Sequence, residues 1–240
     1  MESNVLRKGA VALVTGGSRG IGLGIATALS AAGMSVSITG RDERALEAAR
    51  GNLGSQSMTV RADVQNEAEA SKAVEDTVAR FGGLDVLVNN AGIGVFASVA
   101  DMTPAQWRQV MQTNLDGVFY CCHAAIPHLR QRGGGWIINI SSLASKNPFT
   151  NGAAYCASKS GLNAFSEVLM QEVRHDNIRV SYILPGSVAT GFASRGDQGR
   201  ADWKLAPADV AQVVVDLLSY PARSLPSRVE LRPSRPPARG

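Results

Sequence analysis

A chain of 240 residues is long enough for one α/β domain that buries roughly 70–75% of its unfolded surface without disulfide or metal staples. Its 45% hydrophobic and 18% charged residues are ordinary for a globular protein, and no stretch approaches the roughly 20 apolar residues of a membrane span. The net charge of +4 resides in residues 223–240, where Arg223, Arg228, Arg232, Arg235 and Arg239 face only Glu230, so the neutral body argues against a nucleic-acid reader. Met1-Glu2-Ser3-Asn4 begins no signal peptide, and Cys121, Cys122 and Cys156 show no Cys-x-x-Cys spacing. A disulfide framework and a structural zinc site are therefore disfavoured, no metal is expected, and a reducing cytoplasm is the expected compartment.

Short apolar, β-branched runs alternate with helical patterns along the whole chain. Strands are expected at 10–15, 35–39, 58–61, 84–88, 136–141, 179–184 and 228–231, and helices near 20–32, 42–51, 66–81, 104–131, 154–175 and 207–219. The strands lack polar alternation, as expected when helices cover both faces of a sheet. Alternating β and α units imply parallel strands with right-handed crossovers, hence one doubly wound α/β domain spanning 1–240. Residues 223–240 form its last strand and a basic arm containing Pro226, Pro233, Pro236 and Pro237. The segments 104–131 and 154–175 carry apolar residues on more than one face, among them Val110, Leu115, Phe119 and Ile126. That pattern suits burial against the sheet or a self-complementary dimer interface.

The first strand runs through Thr15-Gly16-Gly17-Ser18-Arg19-Gly20-Ile21-Gly22 into a helix. Glycines at a strand-to-helix turn let backbone amides approach a pyrophosphate, although such a turn can also be a plain connection. The Gly16-x-x-x-Gly20-x-Gly22 spacing differs from G-x-G-x-x-G, and there is no phosphate-hydrolysing P-loop signature. Tyr155 and Lys159 lie one helical turn apart, so a lysine cation can favour the phenolate and make it a usable base. Ser142 offers a hydroxyl from another segment. Taken singly, Asn114, Ser142 and Lys159 each have a structural reading, as a helix bond, a turn cap and a surface lysine.

Together, Thr15-Gly16-x-x-x-Gly20-Ile21-Gly22, Asn89-Asn90-Ala91-Gly92, Asn114, Ser142, Tyr155-x-x-x-Lys159 and Pro185-Gly186 resemble the short-chain dehydrogenases/reductases in order and spacing, from about residue 8 to 220. The resemblance implies a seven-stranded parallel Rossmann-like sheet with helices on both faces, a nicotinamide dinucleotide cofactor, and a homodimer or homotetramer. It implies that Tyr155 exchanges a proton with the carbonyl oxygen and that Lys159 lowers the Tyr155 pKa and holds the nicotinamide ribose. Ser142 would bond the substrate oxygen, and Asn114 would position a water linking Lys159 to solvent. Gly16, Ser18, Arg19, Gly20, Ile21 and Gly22 would hold the pyrophosphate, with Asp63 and Val64 near the adenine. Asn90, Ala91 and Gly92 would line the groove, and Pro185, Gly186, Val188 and Thr190 would lie at the nicotinamide.

Coenzyme choice falls at Thr39-Gly40-Arg41-Asp42, where an acid would accept the ribose 2′-hydroxyl. Gly40 replaces that acid, and Arg41 with Arg19 suits a 2′-phosphate, favouring NADP(H) over NAD(H). Asp42 either serves NAD or caps the following helix. The substrate flap is expected at 191–206, with Gly191, Gly196 and Gly199 as hinges, Phe192 and Trp203 as its large apolar groups, and Phe96 and Phe149 as facing walls. The expected substrate is a small-molecule ketone, 3-oxoacyl group or secondary alcohol. The family's 3-oxoacyl-carrier-protein reductases often present arginines after the tyrosine helix and end in Asp-Gly-Gly. Here Arg174-His175-Asp176 and Val229-Glu230-Leu231-Arg232-Pro233 stand instead, although Arg130 and Arg132 lie nearby. Two other readings are an NAD-dependent alcohol or hydroxy-acid dehydrogenase and a non-catalytic nucleotide-binding scaffold.

Overall fold

The computed structural model describes residues 5–193 and 202–236. Seven parallel strands form one sheet in the order β3-β2-β1-β4-β5-β6-β7. They are β1 (Val11–Val14), β2 (Ser35–Gly40), β3 (Ser57–Arg61), β4 (Val86–Asn89), β5 (Gly135–Ile140), β6 (Ile178–Pro185) and β7 (Arg228–Leu231). The chain reverses its direction of travel between β3 and β4, so β1 and β4 flank a topological switch point, the usual ligand crevice of such sheets.

The helices are α1 (Gly20–Ala31), α2 (Glu43–Arg50), α3 (Glu67–Phe81), α4 (Pro104–Met111), α5 (Gly117–Gln131), α6 (Ala153–Val173) and α7 (Pro207–Ser219). On one face Ile25 and Leu29 of α1, Leu46 of α2 and Val214 and Leu217 of α7 pack on Val14, Val36, Val88 and Trp136. On the other, Val74 of α3, Val118 and Leu129 of α5 and Leu162 and Leu169 of α6 cover Leu13, Leu87, Ile137 and Val180. Covering both faces is what the strands without polar alternation require.

The largest departure from the sequence expectation lies in 104–131. Thr103 caps α4 with a reciprocal Gln106 box, but the helix widens into a π-helical turn over Gln112–Asp116 before α5 begins. Two tertiary contacts coincide with the break. Asn114 is clamped to the backbone of Ile93, and Gly117 lies so close to β3's successor loop that an added Cβ would sit 2.8 Å from the Val64 carbonyl oxygen. Such turns recur at functional positions. At the opposite end of the sheet, β4 starts at Val86 rather than 84, because Asp85 turns its carboxylate to Arg7, Arg132 and the amide of Val11. Helix α6 ends at Val173 and tightens into a 3-10 turn over Arg174–Asp176.

Candidate active site

Where β1 ends, Thr15 ties two strand ends together. Its hydroxyl oxygen accepts the amides of Asn90 (3.0 Å) and Ala91 (3.1 Å), and the Asn90 side chain donates back to the carbonyls of Thr15 (2.9 Å) and Gly16 (3.1 Å). Gly16 and Gly20 have φ of +64° and +56°, the left-handed region that disfavours a side chain. A Cβ on Gly22 would lie 2.3 Å from the Gly16 carbonyl oxygen and 2.4 Å from Asn90 Nδ2. Asn90 therefore braces the turn. The turn delivers the chain to α1, whose extended N-cap Arg19 provides no side-chain cap and whose first turn holds no acid. Backbone amides at such a helix start, with Gly20, Ile21 and Gly22 leaving the approach bare, fit an anionic pyrophosphate. A Cβ on Gly20 would meet Thr190 Cγ2 at 3.3 Å, so the segment after β6 closes on the same turn.

At the end of β2, a Cβ on Gly40 would lie 3.3 Å from Ser18 Oγ. Asp42 resolves to the capping role, since its Oδ1 accepts the amides of Arg44 (2.9 Å) and Ala45 (3.1 Å). Arg41 is drawn to Asp63, 3.7 Å away and on the surface, so it does not stand alone beside Arg19. The Asp63 carboxylate also accepts the Gln65 amide at 3.1 Å. Val64 is buried under α5.

Ser142, just past β5, performs two tasks. Its Oγ accepts the Ala144 amide at 3.1 Å, capping the 3-10 turn over Leu143–Ser145, and its side chain acts on the Tyr155 phenol by lowering its pKa. The turn is sewn to α6: Ser141 Oγ donates to Asn163 Oδ1 (2.6 Å), Asn163 donates to Ser145 Oγ (2.8 Å), and Ser160 donates to the Ser145 carbonyl (2.9 Å). Lys146, at its end, pairs with Glu230 of β7. These bonds fix the Ser142 hydroxyl against the helix that carries Tyr155.

Lys159 is no mobile surface lysine. It is buried, its Nζ donates to the Ile140 carbonyl at 2.8 Å, and burial pulls its ammonium down to about 8. Burial is the largest influence on Tyr155 and raises its pKa, the Ser142 hydroxyl lowers it, and Cys156 raises it. Asn114 is fully buried. Its Oδ1 accepts the Ile93 amide (2.8 Å), and its Nδ2 donates to the Ile93 carbonyl (2.9 Å) and to Ser158 Oγ (3.0 Å). Ser158 in turn donates to the Tyr155 carbonyl at 2.8 Å. A Cβ on Gly92 would stand 3.3 Å from Asn114 Oδ1 and 3.6 Å from Lys159 Nζ, so the bare glycine leaves both atoms bordering one spot. Asn114, Ser142, Tyr155 and Lys159 thus converge. Ser158 and Asn163 were not singled out from the sequence; with Tyr155 and Lys159 they fall at i, i+3, i+4 and i+8 on one face of α6, a signal that was present.

Beyond Tyr155, the Pro185-Gly186 turn is held by β7 through the Gly186 amide and the Leu231 carbonyl (2.8 Å). Val188 bridges to Leu205, bringing Thr190 back towards α1. Phe96 and Phe192 both lie against the Tyr155 ring, and Phe149 lies against Phe96. Of the expected flap, Gly191 and Phe192 form a short 3-10 turn, Lys204 stacks on Trp203, and Gly196 and Gly199 lie outside the described residues. No group of metal-ligating residues occurs among the described residues, and none of their helices is long and apolar enough to cross a membrane.

A crevice of this kind, at a Rossmann-like switch point and floored by a Tyr-x-x-x-Lys helix, defines a class of protein. The model of the short chain dehydrogenase family matches residues 10–201. The chain belongs to that family. It is 36% identical to an uncharacterised oxidoreductase of Methylorubrum extorquens, covering 90% of this chain and 93% of that one. A metagenomic short-chain oxidoreductase solved in complex with NADP superimposes with a TM-score of 0.84 at 36% identity, over 96% of this chain and 100% of that one. The 3-ketoacyl-(acyl-carrier-protein) reductase of Brucella melitensis, complexed with NADH, gives 0.88 at 29% identity, over 95% and 98%.

Proposed function

We propose that the protein is an NADP(H)-dependent reductase that reversibly interconverts a ketone or 3-oxoacyl group and a secondary alcohol. The observation that carries this reading is the meeting of buried Lys159 Nζ and Asn114 Oδ1 at the bare Gly92, with the Ser142 turn sewn to the helix that carries Tyr155. When bound, the nicotinamide coenzyme supplies the hydride that reaches the carbonyl carbon. The fit of the residues present supports such a group: glycines at Gly16, Gly20 and Gly22, and a helix start without side-chain cap or acid. Gly16 to Gly22, with Ser18 and Arg19, would hold the pyrophosphate. Asp63 and Val64 would border the adenine. Asn90, Ala91 and Gly92 would line the groove, and Pro185, Gly186, Val188 and Thr190 the nicotinamide end.

The chain's own groups supply the rest. Burial keeps Tyr155 in its phenol form at neutral pH, so it is an acid ready to give its proton to the substrate oxygen. Ser142 donates to the same oxygen and stabilises the charge that grows there. Lys159, mostly ammonium near pH 7, favours the phenolate left behind, and Asn114 holds the Ile93 backbone beside the path by which a proton returns. Reduction of a ketone panel should consume NADPH, and Tyr155→Phe should lower kcat by at least about 100-fold. Equal turnover by the variant on every substrate would sink this mechanism.

A second reading, an NAD(H)-dependent dehydrogenase, is favoured by one observation: Arg41 already has Asp63 as a partner. Carrier-bound acyl chains fit less well, because Arg130 bonds Asp176 and Arg132 bonds Asp85. Phe119 on α5 and Val168 on α6 leave an apolar face exposed, which supports association into a homodimer or homotetramer. Three unpaired cysteines agree with a reducing, cytoplasmic setting.

A further inference from the structure

Three phenylalanines cluster at the Tyr155 ring, two against it and one against Phe96, and each remains nearly half exposed: Phe96 43%, Phe149 49% and Phe192 44%. They come from three separate segments, after β4, before α6 and after β6. Phe96 meets Tyr155 edge-on at 5.8 Å and 72°, Phe192 leans on it at 5.7 Å and 53°, and Phe149 lies 5.8 Å from Phe96 at 47°. Backbone placement enforces the grouping, since the Ala97 amide bonds the Asn151 carbonyl at 3.0 Å. Two glycines make room for it. A Cβ on Gly94 would stand 2.6 Å from Phe96 Cζ and 3.2 Å from Phe192 Cε1, and one on Gly152 would stand 2.8 Å from Phe149 Cε2.

Large apolar side chains left uncovered and converging on one polar group signal a ligand surface. The segments that carry them, 91–98, 147–156 and 186–193, contain no charged residue, so nothing in them would anchor a carboxylate or phosphate. Half-exposed ring edges and tilted faces are surfaces suited to another flat ring, because aromatic partners gain from edge and offset contacts beyond the area they cover. A flexible alkyl chain gains area alone and loses rotational freedom on entry.

Resting on the reductase reading above, we infer that the substrate is a neutral aryl ketone, its ring held among Phe96, Phe149 and Phe192 and its oxygen at Tyr155 and Ser142. The test compares kcat/KM, with saturating NADPH and separately NADH, for acetophenone, cyclohexyl methyl ketone and the N-acetylcysteamine thioester of acetoacetate. Acetophenone should exceed each of the others by at least about fivefold. In the Phe96→Leu/Phe149→Leu variant, which keeps apolar bulk, the aryl-to-cyclohexyl ratio should fall towards one; thermal melting checks that the variant folds. Calorimetric binding of 1-phenylethanol against 1-cyclohexylethanol, in the presence of NADP+, reads the same preference without turnover. Equal or better reduction of the cyclohexyl ketone or thioester, or a ratio unchanged in the variant, overturns the aryl slot and leaves the reductase standing. Reduction of no ketone, with tight and selective binding of 1-phenylethanol, overturns the reductase and leaves the slot. Neither reduction nor selective binding overturns both.

Discussion

The two halves of the crevice are built from opposite materials. The half formed by β1, α1 and the Asn90 turn is backbone and glycine, with added Cβ atoms at Gly16 and Gly22 meeting neighbours at 2.9 and 2.3 Å. The half around Tyr155 is side chain, with three half-exposed phenylalanine rings, two lying against Tyr155 and the third against Phe96. The first is a mould whose shape depends on what is missing, so substitutions there act on the fold as well as on binding. The second is a surface whose residues can change with little effect on the fold. The same scaffold can therefore hold one kind of coenzyme and vary its substrate.

That contrast is sharpest at Gly22. Gly22→Ala should destabilise the protein by about 1–3 kcal/mol through overpacking, and should abolish coenzyme-dependent fluorescence enhancement. By contrast, Phe149→Leu should change stability by less than about 1 kcal/mol while altering substrate selectivity, because the ring is half exposed. Denaturant melts of both variants decide it. Similar losses of stability would erase the distinction between the halves.

Lys159 stands on the border, and its titration probes how dry that border is. Its ammonium is held down to about 8 in the folded chain against 10.5 for the unperturbed group. Between those values the unfolded chain binds more protons, so stability from this group rises as pH climbs from 8 to 10.5; below 8 the folded state carries the burial penalty in full. Denaturation at pH 7.5 and 10.5 should show wild type gaining up to about 3 kcal/mol relative to Lys159→Met, which cannot titrate. A constant difference between the two proteins would mean that water reaches the amine.

The smallest effect lies at the outer rim of the coenzyme half. Arg41→Ala should weaken NADPH binding by about tenfold and change NADH binding by less than about twofold, as judged by fluorescence titration. The exposed pair with Asp63 resists this little, since surface ion pairs contribute about 0–1 kcal/mol. Equal weakening of both coenzymes would turn the preference towards the NAD(H) reading.

The strand and helix alternation was legible because two-sided burial writes continuous apolar runs, and all seven expected strands pair in one parallel sheet. The break at Gln112–Asp116 was not, since the apolar periodicity of 104–131 runs through it and only the clamp of Asn114 on Ile93 marks it. Asn114, Ser142, Tyr155 and Lys159 were legible as a spaced set, but not the state of each. Spacing shows neither the burial that raises the Tyr155 phenol nor the bond from the Lys159 ammonium to the Ile140 carbonyl.

By itself the sequence determined the sheet, because two-sided burial writes continuous apolar runs, and it marked the glycine turn and the polar groups through spaced motifs that resemble one family. Only the tertiary structure decided how wet each group is and which rings share a wall. Phe96, Phe149 and Phe192 are separated by 53 and 43 positions along the chain, and three loops must close over one tyrosine before they meet. Desolvation and long-range ring contacts depend on the whole fold, so no window of sequence contains them.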